Sequence, residues 1–162
     1  MSRDEQVDNP GIIVDPQHIT LADVALGLVL DYLAPLGFVV GLRLPLIVIG
    51  GCLLALGGSM AANARATFIA AGTNFNPVQP ALTMVTTGTF SRVRNPIYQG
   101  GTLLLIGLAL ILASDWMLIL LVPALILLHF AVVLREEHYL GIKFGDAYRR
   151  YRTDVPRYGW KF

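Results

Sequence analysis

Two short stretches hold the residues of this chain best equipped for chemistry. The first is SRVRNPIYQGG, residues 91–101, which sets Arg92, Arg94, Asn95 and Tyr98 around Pro96. The second is REEHY, residues 135–139, with the adjacent acids Glu136 and Glu137. A tyrosine offers a ring to stack on and a hydroxyl to donate. Paired carboxylates accept from ribose hydroxyls or an amine, or attract a sulfonium. Arg94 can bind a carboxylate, and Pro96 removes one backbone donor while biasing Asn95 toward an extended conformation. Such a set suits a cationic, zwitterionic cofactor. It does not suit zinc, because His18, His129 and His138 are scattered and Cys52 has no partner cysteine, so no metal site is expected. No glycine-rich phosphate loop follows a strand, which argues against a dinucleotide-binding fold.

The elements that must position these groups are apolar. Hydrophobic residues make up 55% of the 162-residue chain and charged residues 14%, and the mean hydropathy is +0.63. A soluble domain carries about 25% charged residues. The net charge of +1 gives no reason to expect nucleic acid as a partner. Residues 1–20, with Asp4, Glu5, Asp8 and Asp15, do not read as a cleavable signal.

A membrane-spanning helix needs about 20 mostly apolar residues. Residues 21–41, 46–64, 97–113 and 116–134 approach that requirement. The first segment is interrupted by Asp23, Asp31 and Pro35. Thr20 with Asp23 resembles a capping box at its start, and Ser114 or Asp115 can cap the fourth segment. The links LRLP and Ser114–Asp115 are short enough to force antiparallel hairpins. Gly51, Ala55 and Gly58 predict the close-packing stripe of the second helix. Trp116 and Trp160 fit interfacial anchors. Asp31, near the middle of the first span, and His129 in the fourth suggest a buried pair or the lining of a substrate cavity.

With four spans, both termini and the middle segment share one side. That side holds every basic residue except Arg43, a positive-inside pattern that places it in the cytoplasm. The expected architecture is all-α: an integral-membrane helical bundle of about four transmembrane helices plus a cytoplasmic C-terminal helix and loop. It forms one membrane domain over 1–162. Residues 1–18 form a cytoplasmic N-terminal segment, 19–134 the bundle with a cytoplasmic loop at 65–95, and 135–162 a cytoplasmic tail. Residues 135–154 read as a helix continuing the fourth span, with Glu137, Leu140, Phe144, Tyr148 and Tyr151 on one face, ended by Val155 before a proline. The hairpin brings Tyr98 and the glutamate pair to similar depth, so two clusters distant in sequence meet at one membrane surface.

The stretch LTMVTTGTFSRVRNPIYQGG followed by EEHYLGIKFGDAYRRYRTDVPRY resembles the isoprenylcysteine carboxyl methyltransferase family and is similar to the related phospholipid N-methyltransferases. Arg94, Pro96, Tyr98 and Gly100 match the first motif, Val85 and Gly88 the segment before it, Glu136 and Glu137 the acidic pair, and Tyr148, Tyr151 and Pro156 the tail. Asn95 and Phe90 depart from the histidine and tyrosine usual in the carboxyl methyltransferases.

The resemblance implies an integral-membrane transferase using S-adenosylmethionine and acting on a lipophilic small molecule or lipid that enters from the bilayer. It implies a cofactor pocket of Leu82, Met84, Val85, Gly88, Asn95, Tyr98, Glu136, Glu137 and Tyr148, closed by the tail. Glu137, Arg94 and Asn95 are the catalytic candidates, and Asp31, His129 and Arg135 the substrate candidates. A multi-pass protein of a bacterial plasma membrane is the expected setting. A carboxylate acceptor needs no base at neutral pH. An amine, phenol or thiol needs one, and Glu137 or His138 is placed to assist. An NADPH-dependent membrane reductase of the sterol reductase type and a non-catalytic four-helix subunit are the alternatives.

Overall fold

The computed structural model describes residues 8–38 and 43–161. Arg3, Asp4 and Glu5, the end of the expected first span at 39–41, and Leu42 of the first link lie outside them. Among the described residues the ordered elements are helices: α1 (Pro16–Leu33), α2 (Arg43–Ala70), a 3₁₀ turn (Gly88–Ser91), α3 (Pro96–Leu112), α4 (Asp115–Leu128), a π-helical turn (His129–Val133) and α5 (Leu134–Asp154). The last three follow one another without a loop as one rod, kinked at Gly145.

Helix α1 starts earlier than expected. Asp15 caps it, accepting from the Gln17 N–H at 2.9 Å, with Pro16 pre-set for the first turn. The Thr20–Asp23 capping box does not form, because Thr20 is already inside the helix and its hydroxyl donates to the Pro16 carbonyl. Asp23 instead shares the buried face of α1 with Ile19 and Gly27, and neither of its carboxylate oxygens has a partner among the described residues. The helix ends before Pro35, so Asp31 sits in its last turn, not mid-span.

Helix α1 lies antiparallel to α4, with Ile19 packed near Ala131 and Val132 at one end and Gly27 near Met117 toward the other. Asp31 accepts from the Ser114 hydroxyl and from the Trp116 N–H at 3.4 Å. It is therefore at the opposite end of α4 from His129, and the expected Asp31–His129 pair does not exist.

Helix α2 overruns its expected end. Arg65 closes the apolar window but not the helix, which runs on to Ala70, and its guanidinium lies 5.1 Å from the centre of the Phe75 ring. The helix stops at a Schellman motif: Gly72, at φ 64°, donates to Ile69, and Thr73 donates to Phe68. The loop thus begins near residue 71, not at 65.

Helices α2 and α3 pack backbone to backbone. A Cβ at Gly57 would lie 2.5 Å from the Gly100 carbonyl, and one at Gly50 2.6 Å from that of Gly107. The contact stripe is Gly50 and Gly57, one residue displaced from the expected Gly51–Ala55–Gly58; a Cβ at Gly51 would meet nothing within 4 Å.

Between α3 and α4 the chain reverses at Ala113, in the left-handed region at φ 54°. Ser114 then caps α4 by accepting from Met117 N–H. Helix α2 and the Asp115–Asp154 rod are long and apolar enough to cross a membrane, and α3, at 17 residues, is apolar but shorter. Large apolar side chains cover their outer faces, among them Val48, Ile49, Leu56, Val122 and Ile126.

Candidate active site

The α3–α4 hairpin returns the rod to the N-terminal mouth of α3, and the two polar clusters meet there. Asn95 stands at the N-cap with Pro96 opening the helix, which sends Tyr98 inward one turn later. The Tyr98 hydroxyl donates to Glu136 Oε2 at 2.9 Å. Glu137 is buried and accepts from three nitrogens. Arg94 Nη1 reaches Oε1 at 2.7 Å, and Arg157 binds in a fork, Nε to Oε1 and Nη2 to Oε2, each at 2.7 Å.

The tail is fastened along its length. Arg94 donates through Nε to the Val155 carbonyl and through its backbone N–H to Pro156, both at 2.9 Å. Asn95 Nδ2 reaches the Arg157 carbonyl at 3.4 Å, and Tyr151 donates to Phe90 at 2.7 Å. Gly145, at φ 54° and ψ −127°, breaks α5 and lets Tyr148 and Tyr151 turn over the same cleft.

The electrostatics separate the two glutamates. Burial pushes the Glu136 carboxyl up, and the charge of Glu137 adds to that, against the bond from Tyr98, which lowers it. Burial also acts upward on Glu137, but the Arg157 hydrogen bonds and the Arg94 charge outweigh it and hold the carboxyl below its ordinary value. Burial, aided by Glu137, pushes the Tyr148 hydroxyl up to about 12.

A group with a depressed folded pKa contributes stability above its unfolded value, about 4.3 for glutamate, and loses it as pH falls through the folded value. Tail docking should therefore be indifferent to pH from 7 to 5 and weaken only in stronger acid. Trp160, whose ring centre lies 5.7 Å from the Arg92 guanidinium, reports it. In a Trp116→Phe background its emission should shift red only below about pH 4; a shift at pH 6 would assign the latch to another group.

Two adjoining cavities open at this cluster, of about 70 Å³ and about 130 Å³. They share Phe68, Phe75, Phe90, Arg94, Asn95 and Glu136. The first also takes in Met84, Val85, Glu137 and Tyr148, and the second Tyr98. A third cavity, of about 420 Å³ and mostly apolar, lies on the other side of Tyr98 between α3 and the rod, bordered by Leu125, Ile126, His129 and Tyr158.

Four of the expected pocket and substrate residues stand elsewhere. Leu82 points outward and is 60% exposed, its backbone tied to Thr73. Gly88 is a turn glycine at φ 61°, where a Cβ would lie 2.8 Å from the Thr67 hydroxyl. Arg135 donates to the Gly11 carbonyl at 3.1 Å and borders none of these three cavities. Asp31 belongs to the far end of the bundle.

Sequence reasoning missed Arg157, Phe68, the Asn74–Pro77 loop and Tyr158. A basic residue directly after Val155–Pro156 was the available signal for Arg157. Phe68 was hidden by ending the helix at Arg65.

Among the described residues no cluster of metal-ligating side chains occurs. A family model described as phospholipid methyltransferase matches residues 45–147, spanning α2, α3, α4 and most of α5. Searches of curated proteins and of solved structures found no match.

Proposed function

The chain belongs to the phospholipid methyltransferase family, whose members are S-adenosylmethionine-dependent methyltransferases, and on that footing we propose how its cavities divide the reaction. Membership sets aside the reductase and scaffold alternatives. We assign the cleft at Arg94, Asn95, Glu136 and Glu137 to the methyl donor and the apolar cavity beyond Tyr98 to a phospholipid-type acceptor. The observation that carries this reading is Tyr98, which borders both the cleft and the apolar cavity and donates its hydroxyl to Glu136 on the cleft side.

The residues fit the donor. Phe68, Phe75 and Phe90 offer aromatic faces for a purine, and the Asn74 and Asn76 side chains line the same wall. Glu136 accepts only from Tyr98 among the described residues, which leaves its other oxygen for a cationic or hydroxyl group. A ligand of nucleoside size needs both small cavities, so the Phe75–Pro77 loop bordering each must give way as it enters. When bound, S-adenosylmethionine supplies an electrophilic methyl group. The chain's own task is to hold donor and acceptor in line and to exclude water. Glu137 fixes Arg94 and, through Arg157, the tail, whose Tyr158 borders the acceptor cavity.

We read α1, α2, α3 and α4 as four crossings, with the cleft and both termini on the cytoplasmic side of a bacterial plasma membrane. The basic residues gathered at that end support this reading.

Calorimetry with S-adenosylmethionine and its demethylated product, followed by labelled-methyl transfer into extracted lipids, tests the proposal. Glu136→Gln keeps an acceptor for Tyr98 but removes the charge. It should weaken the sulfonium donor by about tenfold, about 1.4 kcal/mol, and the neutral product far less. Equal losses for both ligands would remove Glu136 from the donor site.

A further inference from the structure

The mechanism so far assigns no role to the imidazole of the apolar cavity. His129 lies in the π-helical turn, an irregularity that recurs at functional sites. Its Nδ1 is 2.8 Å from the Tyr158 hydroxyl, and its ring sits edge-on to Phe130. No hydrogen bond to Nε2 occurs among the described residues. Among the described residues the cavity it borders offers no other base: its remaining polar side chains are Tyr98, Gln99, Thr102 and Tyr158. Glu136 does not border this cavity, and Glu137 is saturated by two arginines.

Resting on the two-cavity reading above, we propose that His129 is the proton acceptor for an amine-bearing lipid headgroup, with Tyr158 as its positioning residue. An ammonium has no lone pair, so it must lose a proton before a nitrogen–carbon bond forms. In the productive tautomer Nδ1–H donates to the Tyr158 oxygen, leaving the Nε2 lone pair to take that proton. The nitrogen lone pair then forms the bond to the methyl carbon, and the electrons of the broken sulfur–carbon bond stay on sulfur. The imidazolium returns its proton to water at the tail. The weakly polar cavity assists, because a low-dielectric setting favours the neutral amine. Tyr158 sits next to Arg157, so the base is oriented only when the latch on Glu137 is closed.

The chain has three histidines, which makes imidazole resonances directly countable. In detergent micelles, ¹³C-histidine spectra of the wild-type protein are assigned by His18→Gln and His138→Gln, both at exposed positions. Dioleoylphosphatidylethanolamine should shift the His129 resonance and leave the other two in place. His129→Gln should bind S-adenosylmethionine as tightly as the wild type in calorimetry. Its methyl transfer should be slower by about 10²-fold at pH 7, the low end for a lost general base, with the deficit shrinking at higher pH. Tyr158→Phe should show a smaller deficit with the same pH trend. An unmoved His129 resonance, or His129→Gln transfer within about threefold of wild type across the pH range, overturns the proposal. Absence of donor binding by the wild-type protein would instead overturn the two-cavity reading itself.

Discussion

Replacing Glu137 by alanine is expected to release the C-terminal tail and cost about 3–5 kcal/mol, the range for breaking a buried ion pair from one side. The magnitude follows from what is left behind. The Arg94 side chain is only 9% exposed and would keep its charge without the carboxylate that compensates it. Arg157, at 28% exposed, recovers solvent and contributes little to the loss. The tail would then be held only by neutral or exposed contacts, those of Arg94 and Asn95 with its carbonyls, of Tyr151 with Phe90, of Tyr158 with His129 and of Gly159 with Gln99. Thermal unfolding in detergent should fall by roughly 6–20 °C, at about 2–4 °C per kcal/mol for a chain of this size, and donor binding should disappear. Glu137→Gln should recover part of the stability, since an amide still accepts from one arginine, yet not the donor affinity. A Glu137→Ala protein that melts within a degree or two of wild type would show that the triad is not what closes the cleft.

The second large effect is expected far from the cleft, on the α2–α3 interface. At Gly57 a methyl would meet the Gly100 carbonyl at 2.5 Å, a backbone atom that cannot swing away. Overpacking of this kind costs about 1–3 kcal/mol, which exceeds the gain of about 1 kcal/mol that alanine brings to a helix over glycine. Gly57→Ala should therefore destabilise, and Gly57→Val should prevent the two helices from docking. Gly51→Ala, six positions away and open on all sides, should be neutral or mildly stabilising. Melting curves of the three variants check the order; Gly57→Ala and Gly51→Ala behaving alike would deny the close approach.

Much of this was legible in sequence, for identifiable reasons. The α3–α4 hairpin followed from a two-residue link between apolar runs, and it alone determines that Tyr98 meets Glu136. The glutamate pair and Arg94 announced themselves by type and position. What could not be read depended on helix phase and on reach. The stripe of α2 was displaced by one residue because Gly50, Gly51, Gly57 and Gly58 come as adjacent pairs, and composition cannot say which member faces α3. Arg65 hid the last turn of α2 because a hydropathy window treats a cation as an end, while a long side chain can carry its charge away from an uninterrupted backbone. Asp31 was given the wrong depth because Pro16, polar neighbours and all, begins α1 earlier than the apolar run does. Arg157 is twenty residues from Glu137, and only the turn at Val155–Pro156 folds it back.

The π-helical turn has a bearing on how the rod serves two surroundings. Leu134 N–H bonds to the His129 carbonyl, five positions back, so the turn holds one more residue than its neighbours. Each residue of an α-helix advances the azimuth by about 100°. In a rod wound regularly from Asp115 onward, Glu137 would stand about a quarter-turn round the axis, clear of Arg94. The extra residue thus acts as a gear between two halves. The upstream half is phased to α1 and carries an apolar outer face, and the downstream half is phased to the polar cleft. Each can change its sequence to suit its own medium without dragging the other out of alignment.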